Sequence, residues 1–141
     1  MFRPAKSKND IKLIYEIRSS KQALTQSINS QQFTFNEHKE WFNKYVVEEK
    51  TYSYFIFSKD DNNNIGFIRV HNISNFLSWA IDPKQMGKKY GYLMLNAFIS
   101  FKPSKYKAHI KKDNIPSLKI AKKCGFKQIQ ERKNNVIEFS L

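Results

Sequence analysis

The chain has 141 residues, 40% of them hydrophobic and 15% aromatic, which predicts one domain over residues 1–141 with a packed core. Its 25 Lys and Arg residues against 12 acids give a net charge of +13, which suits an anionic ligand. No apolar run approaches the roughly 20 residues that span a bilayer, no secretory leader is apparent, and the single Cys124 excludes an internal disulfide. We therefore expect a cytoplasmic protein.

Hydrophobic periodicity predicts alternating strands and helices along the chain. A turn-rich segment at residues 60–64 separates two of the strands, which are expected to form a hairpin. In chain order the predicted elements are a strand at 2–4, a helix at 10–19, a passage from helix to loop at 21–32, a helix at 34–45, strands at 52–58, 65–71 and 76–81, a helix at 90–101, a strand at 106–110, a helix at 115–124, and strands at 127–130 and 136–141.

Capping residues mark several of these helix ends. Asn9 is the expected N-cap of the first helix, and Thr34 with Glu37 has the spacing of a capping box before the second. Asn114 is an expected N-cap before the last helix. Gly125, just beyond that helix, is expected to adopt positive φ.

A turn flanked by two glycines lies between the strand at 76–81 and the helix at 90–101. Gly87 and Gly91 enclose Lys88 and Lys89. Free N–H groups at a helix N-terminus bind anionic oxygens, and glycine lets a phosphate approach the backbone closely. A second block follows a further strand, with Asn114 and Ser117 before Gly125-Phe126. An ordinary turn with solvated lysines is the alternative for the first block.

Together these two blocks resemble the GNAT superfamily of acetyl-CoA-dependent N-acetyltransferases. The resemblance is specific over residues 64–128, with Ile81-Asp82-Pro83 at the strand end and the phosphate signature on residues 86–91. It implies an α/β fold with a mixed, twisted sheet of about six to seven strands, flanking helices and a splayed central strand pair. It implies acetyl-CoA as co-substrate and no metal. The implied acetyl-CoA contacts are Trp79, Ala80, Ile81, Met86, Gly87, Lys88, Lys89, Tyr90, Gly91, Asn114 and Ser117.

Three residues depart from the pattern of that family. Met86 replaces the usual Arg or Gln, and Lys89 replaces the usual Gly. Ala121 stands where many members carry a Tyr that protonates the departing thiolate. Binding of CoA is thus better supported by the resemblance than any acid or base. His109 and Ser78, on the strands that border the splay, are the candidate catalytic residues.

The N-terminal half resembles GNAT members that acetylate amino groups on nucleotide-linked sugars. In that group an E-H-x-x-W helix borders the acceptor site, and here it matches Glu37, His38 and Trp41. The resemblance implies substrate contacts by His38 and Trp41. A core role for Trp41, and a role in the capping box alone for Glu37, are the alternatives.

Positive charge is concentrated in the C-terminal half. Residues 84–133 carry 14 Lys and Arg against two acids, Asp113 and Glu131. We expect a small-molecule amine as acceptor, most plausibly an amino sugar on a nucleotide carrier, with no specific nucleic acid and no membrane as partner. A peptide or protein amine, or a basic nucleic-acid- or CoA-binding module without catalysis, remains an alternative.

Overall fold

The computed structural model describes residues 1–28 and 31–141, and in this part of the chain seven strands form one mixed sheet in the order β1-β2-β3-β4-β5-β7-β6. All neighbouring strands are antiparallel except β4 and β5. The strands are β1 Phe2–Pro4, β2 Tyr52–Asp60, β3 Asn63–His71, β4 Phe76–Ile81, β5 Lys107–Lys111, β6 Lys127–Arg132 and β7 Val136–Ser140. The helices are α1 Lys8–Arg18, α2 Lys21–Gln26, α3 Phe35–Phe42, α4 Tyr90–Phe101 and α5 Ile115–Lys123. The α/β fold class with its six to seven strands is therefore confirmed.

Helix starts follow local capping chemistry. Thr34 and Glu37 form the predicted capping box on α3, which continues into π-helical turns at Asn43–Glu48. The prediction of Asn9 as N-cap of α1 is wrong. Ser7 caps that helix, and Asp10 closes a capping box with it while pairing with Arg3 at 2.7 Å.

The two faces of the sheet are covered by different helices. Helices α4 and α5 pack on one face, where the buried core includes Leu77, Met94 and Phe98. Helices α1 and α3 pack on the other, where the core includes Ile14 and Phe42. Since successive residues of a strand point to opposite faces, Trp79 contacts the first core and Ala80 the second.

The central parallel pair separates soon after it forms. Strands β4 and β5 pair only at Phe76 with Lys107 and at Leu77 with Ala108. Beyond this point β4 continues to Ile81, and among the described strands it is bonded there to β3 alone. A gap therefore opens between β4 and β5 in the middle of the sheet, as the splayed strand pair predicted.

None of the helices in residues 1–28 and 31–141 is long and apolar enough to cross a membrane.

Candidate active site

One edge of β4 lacks a partner strand beside the gap, as far as the described strands show. The N–H of Asp82 donates to the Ile65 carbonyl of β3. Because the direction of backbone groups alternates in an antiparallel ladder, the backbone groups of Trp79 and Ile81 face away from β3, toward the gap. An extended ligand segment can pair with such an open edge.

The indole of Trp79 adds a further unpaired donor here. Its Nε1 is buried and has no hydrogen-bond partner among the described residues. A buried donor without an acceptor costs about 1–3 kcal/mol. A bound group with an acceptor atom would remove this cost.

The turn after β4 presents the N-terminus of α4 without a capping side chain. Lys89 is the N-cap residue, with φ of 63° and ψ of 20°, and makes no side-chain cap hydrogen bond. Gly87 has φ of 79° and lies exposed. The first-turn N–H groups of α4, beginning with Tyr90, therefore lack a capping acceptor, which is the arrangement that binds anionic oxygens. Met86 and Lys88 are also exposed on this turn, and Lys88 Nζ lies 3.3 Å from Gln85 Oε1.

The two glycines of the turn have different physical roles. A Cβ on Gly87 would meet nothing within 4 Å, so the positive φ is what favours glycine there. A Cβ on Gly91 would lie 2.6 Å from Ile120 Cδ1 of α5. Gly91 therefore permits α4 and α5 to approach each other.

The second block lies where β5 leads into α5. Asn114 caps α5, as predicted, and its Oδ1 accepts a 3.3 Å hydrogen bond from the N–H of Ser117. Ser117 is half-buried one turn before Ala121, which is fully buried in the core between the sheet and the helices. Gly125 adopts the predicted positive φ, at 97°. Ala121 offers no titratable group at this helix face.

His109 makes a hydrogen bond to a carboxylate that the sequence did not reveal. Its Nε2 lies 3.0 Å from Glu138 Oε1 of β7, and its ring lies 4.3 Å from that of Phe76. The hydrogen bond with His109 lowers the pKa of Glu138 against the opposing effect of burial, and Arg132, 3.3 Å away, lowers it further. The side chain of His109 is 32% exposed, so its imidazole stays accessible beside the gap.

Ser78 lies on the same face of β4 as Phe76, two residues further along. It is exposed, and its Oγ accepts a 3.3 Å hydrogen bond from Arg69 of β3. Phe76 in turn contacts the His109 ring. Ser78 and His109 thus border the gap from its two sides, on the face that carries α1 and α3.

His38 lies inside the core below this face. It is only 2% exposed, and its Nδ1 lies 3.4 Å from a guanidinium nitrogen of Arg18. Burial lowers its pKa to about 4, and the charge of Arg18 contributes in the same direction. Trp41, half-buried, stacks on His38 and contacts Tyr52 at 5.3 Å between ring centroids. Contact of His38 and Trp41 with an acceptor stays a prediction.

The described side chains indicate neither a cysteine nucleophile nor a metal centre. Burial raises the pKa of the Cys124 thiol, which disfavours a thiolate nucleophile. In the part of the chain that the structure describes, no group of three or more His, Cys, Asp or Glu side chains is arranged to hold a metal ion.

Comparison with known proteins defines the class. A family model described as "Acetyltransferase (GNAT) domain" matches residues 1–127. The chain therefore belongs to the GNAT acetyltransferase family. It is an N-acetyltransferase, and acetyl-CoA is its acetyl donor. No curated protein sequence matches the chain.

Solved structures share the fold at low sequence identity. The spermidine N-acetyltransferase from Vibrio cholerae in complex with CoA and spermine has a TM-score of 0.82 and 18% identity, over 100% of this chain and 94% of that chain. A domain from Methanocaldococcus jannaschii has a TM-score of 0.74 and 21% identity, over 100% of this chain and 96% of that one. These similarities show the fold, and neither structure is described as an enzyme of nucleotide-linked amino sugars.

Proposed function

We propose that this N-acetyltransferase holds acetyl-CoA in the gap between β4 and β5 and acetylates a small primary amine, an amino sugar on a nucleotide carrier. The observation that carries the proposal is the open edge of β4, which is followed, after the turn at residues 82–89, by the uncapped N-terminus of α4. Acetyl-CoA is an elongated ligand with an amide-bearing arm and a pyrophosphate. The arm can pair with the open strand edge, and the pyrophosphate can bind at the helix N-terminus that follows.

The residues present fit that ligand. The backbone groups of Trp79 and Ile81 are available to the pantetheine amides, and the buried Trp79 Nε1 needs an acceptor. The N–H groups after Lys89 accommodate the pyrophosphate, where Lys88 and Lys89 add positive charge. Bound acetyl-CoA supplies an activated acetyl group as a thioester.

The reaction requires two proton transfers. The neutral amine nitrogen attacks the thioester carbonyl carbon, a C–N bond forms, the C–S bond breaks and the electron pair leaves on sulfur. In this proposal His109 removes the proton of the amine, directly or through a water, and its hydrogen bond with Glu138 orients the imidazole. Ser78 holds such a water. Because a thiol has a pKa near 8.5, solvent suffices to protonate the thiolate where Ala121 replaces the family Tyr.

The charge of the chain distinguishes the acceptor classes. The Vibrio cholerae neighbour is named for spermidine, a polycation. This chain carries a net charge of +13, and residues 84–133 alone carry 14 Lys and Arg against two acids. Such a field attracts a nucleotide diphosphate and repels a polyamine. The same argument disfavours a basic peptide, and the coincidence of the charge with the α4 turn favours acetyl-CoA over a nucleic acid.

An assay that measures release of the CoA thiol tests the proposal. We expect turnover with a uridine-diphosphate-linked amino sugar to exceed that with spermidine or with a lysine peptide. His109→Phe keeps a planar ring without titratable nitrogens, and it should lower kcat about 10²-fold while leaving the affinity for CoA unchanged. Preferred turnover of spermidine would refute the amino-sugar acceptor, and a full rate in His109→Phe would refute the role of the imidazole.

A further inference from the structure

Two arginines have no acidic partner among the described residues, and both lie on the sheet face that carries α1 and α3, here called the acceptor face. Arg18 ends α1, and Arg69 lies in β3. The salt bridges in residues 1–28 and 31–141 include neither guanidinium, and the two remaining positions, 29 and 30, are Asn and Ser, which carry no carboxylate. Half-buried arginines normally pair with an anion, because their charge is costly to desolvate.

Aromatic side chains hold both guanidinium groups in place. Arg18 lies over the rings of Phe33 and Trp41, at 4.8 and 5.5 Å from their centroids, and Arg69 lies over that of Tyr52 at 4.6 Å. The rings of Trp41 and Tyr52 are themselves in contact. One aromatic layer thus supports the two cations, and it covers the faces of the guanidinium planes rather than their N–H edges.

Burial and mutual repulsion disfavour the two neighbouring charges. Burial lowers the pKa of Arg18, the hydroxyl of Tyr54 opposes this shift, and the charge of Arg69 lowers the pKa further. The two cations therefore repel each other. An oxyanion that meets both would relieve the repulsion and accept charge-assisted hydrogen bonds from them.

The position of the pair links it to the reacting centre. Arg69 donates to Ser78 Oγ, and Ser78 is the first β4 residue beyond the last pair with β5. A group bound by Arg69 therefore lies at the mouth of the gap, on the face where His109 is exposed.

We infer that Arg18 and Arg69 form an oxyanion site that selects acceptors in which the amine is accompanied by a phosphate or a carboxylate. This inference rests on the proposed acetyl transfer in the gap. It assigns the specificity for the acceptor to two residues outside the acetyl-CoA contacts, and it excludes polyamines as good substrates.

Matched acceptors test the inference by kinetics. Glucosamine 6-phosphate and glucosamine differ by one phosphate, and an amino acid and its amide differ by one carboxylate charge, so the two pairs distinguish the sources of the oxyanion. In Arg69→Gln, kcat/KM for the preferred anionic acceptor should fall roughly 10- to 100-fold, mainly through KM, whereas kcat/KM for its neutral counterpart should stay within about twofold. Arg69→Lys should recover only part of the loss, because a lysine cannot donate two parallel hydrogen bonds.

Controls separate loss of the oxyanion site from loss of the fold. Lys44, over the ring of Tyr45 at 5.1 Å, is an exposed cation on an aromatic ring in the same half of the chain. Lys44→Gln should leave both acceptors unaffected. Arg18→Gln is compared with the wild type only if the two unfolding transitions coincide, and if they do not, the Arg69 variants decide the question.

A binding measurement makes the result independent of turnover. Uridine diphosphate is titrated calorimetrically into protein saturated with CoA, so that the α4 turn is filled. We expect binding that Arg69→Gln weakens at least about tenfold. No binding at millimolar concentration, or equal affinity in both proteins, would overturn the inference. If CoA does not bind, or if no amine is turned over, the proposed function is refuted instead. A titration of uridine diphosphate without CoA would then still measure whether Arg69→Gln weakens its binding.

Discussion

Lys89 takes a left-handed backbone conformation at a position where the family pattern has glycine. Its φ of 63° costs a residue with a Cβ roughly 1–2 kcal/mol relative to the right-handed region. The strain coincides with a turn that we propose binds a pyrophosphate. A lysine at this position adds a charge next to the N-terminus of α4, which is a physical reason for keeping a strained side chain there.

Substitutions at Lys89 separate the strain from the charge. Lys89→Gly should raise the free energy of unfolding by about 0.5–1 kcal/mol, because the strain is relieved and only part of the gain is lost to the entropy of the unfolded chain. Lys89→Ala keeps the strain. Both variants lose Nζ, and both should weaken CoA binding by up to about fivefold. Urea denaturation and calorimetric titration measure the two effects, and unchanged CoA affinity in both variants would remove Lys89 from the site.

His38 should make stability depend on pH. Its pKa falls to about 4 in the folded protein, against an ordinary value of 6.5, so the unfolded chain binds the proton more readily. The stabilisation by neutral His38 is complete above pH 6.5 and is lost as the pH falls toward 4, by about 3 kcal/mol. Carboxylates titrate in the same range, so the comparison with His38→Gln isolates the imidazole. The free energy of unfolding should fall less on acidification in that variant, and equal losses would contradict the burial of a neutral His38.

At the scale of elements, the contact between α4 and α5 explains why Gly91 is a glycine, a residue that the sequence analysis assigned to phosphate binding. Gly91 is buried, and a methyl group at that position would lie 2.6 Å from Ile120 Cδ1. The capping box of α3 was predictable because Thr34 and Glu37 lie in one local motif. The start of α1 was not, because Ser7 and Asn9 are both good N-caps, and Asp10 decides between them by pairing with Arg3.

A double-mutant cycle tests the packing role of Gly91. Gly91→Ala should lower the free energy of unfolding by about 0.5–1 kcal/mol, because displacing the end of the Ile120 side chain slightly outweighs the gain in helix propensity. Ile120→Val removes the clashing Cδ1 atom and costs about 0.5–1.5 kcal/mol alone. In the double variant the alanine should be tolerated, with a coupling energy of at least about 0.5 kcal/mol. Additive losses would show that the helix contact is not what requires glycine.

At the scale of the whole molecule, residues that are far apart in the sequence come together at the acceptor face. The acetyl-CoA contacts were predictable because β4, the turn and α4 are contiguous. The contact between Glu138 and His109 could not be predicted, because only the register of β7 on β5 brings the two residues together. Arg18 and Arg69 meet in the same way, through the packing of α1 on β3, and no local motif marks either residue.

Amide hydrogen exchange tests the central claim, that acetyl-CoA occupies the open edge of β4 and the N-terminus of α4. Without ligand, the N–H groups of Trp79, Ile81 and the first turn of α4 face no strand or capping side chain among the described residues. Saturation with CoA should slow exchange at these amides by at least about tenfold, through new hydrogen bonds. The amides of Ser78 and Ala80, which face β3, should change little. Unchanged exchange at Trp79, Ile81 and the first turn of α4 in a CoA-saturated protein would contradict the claim.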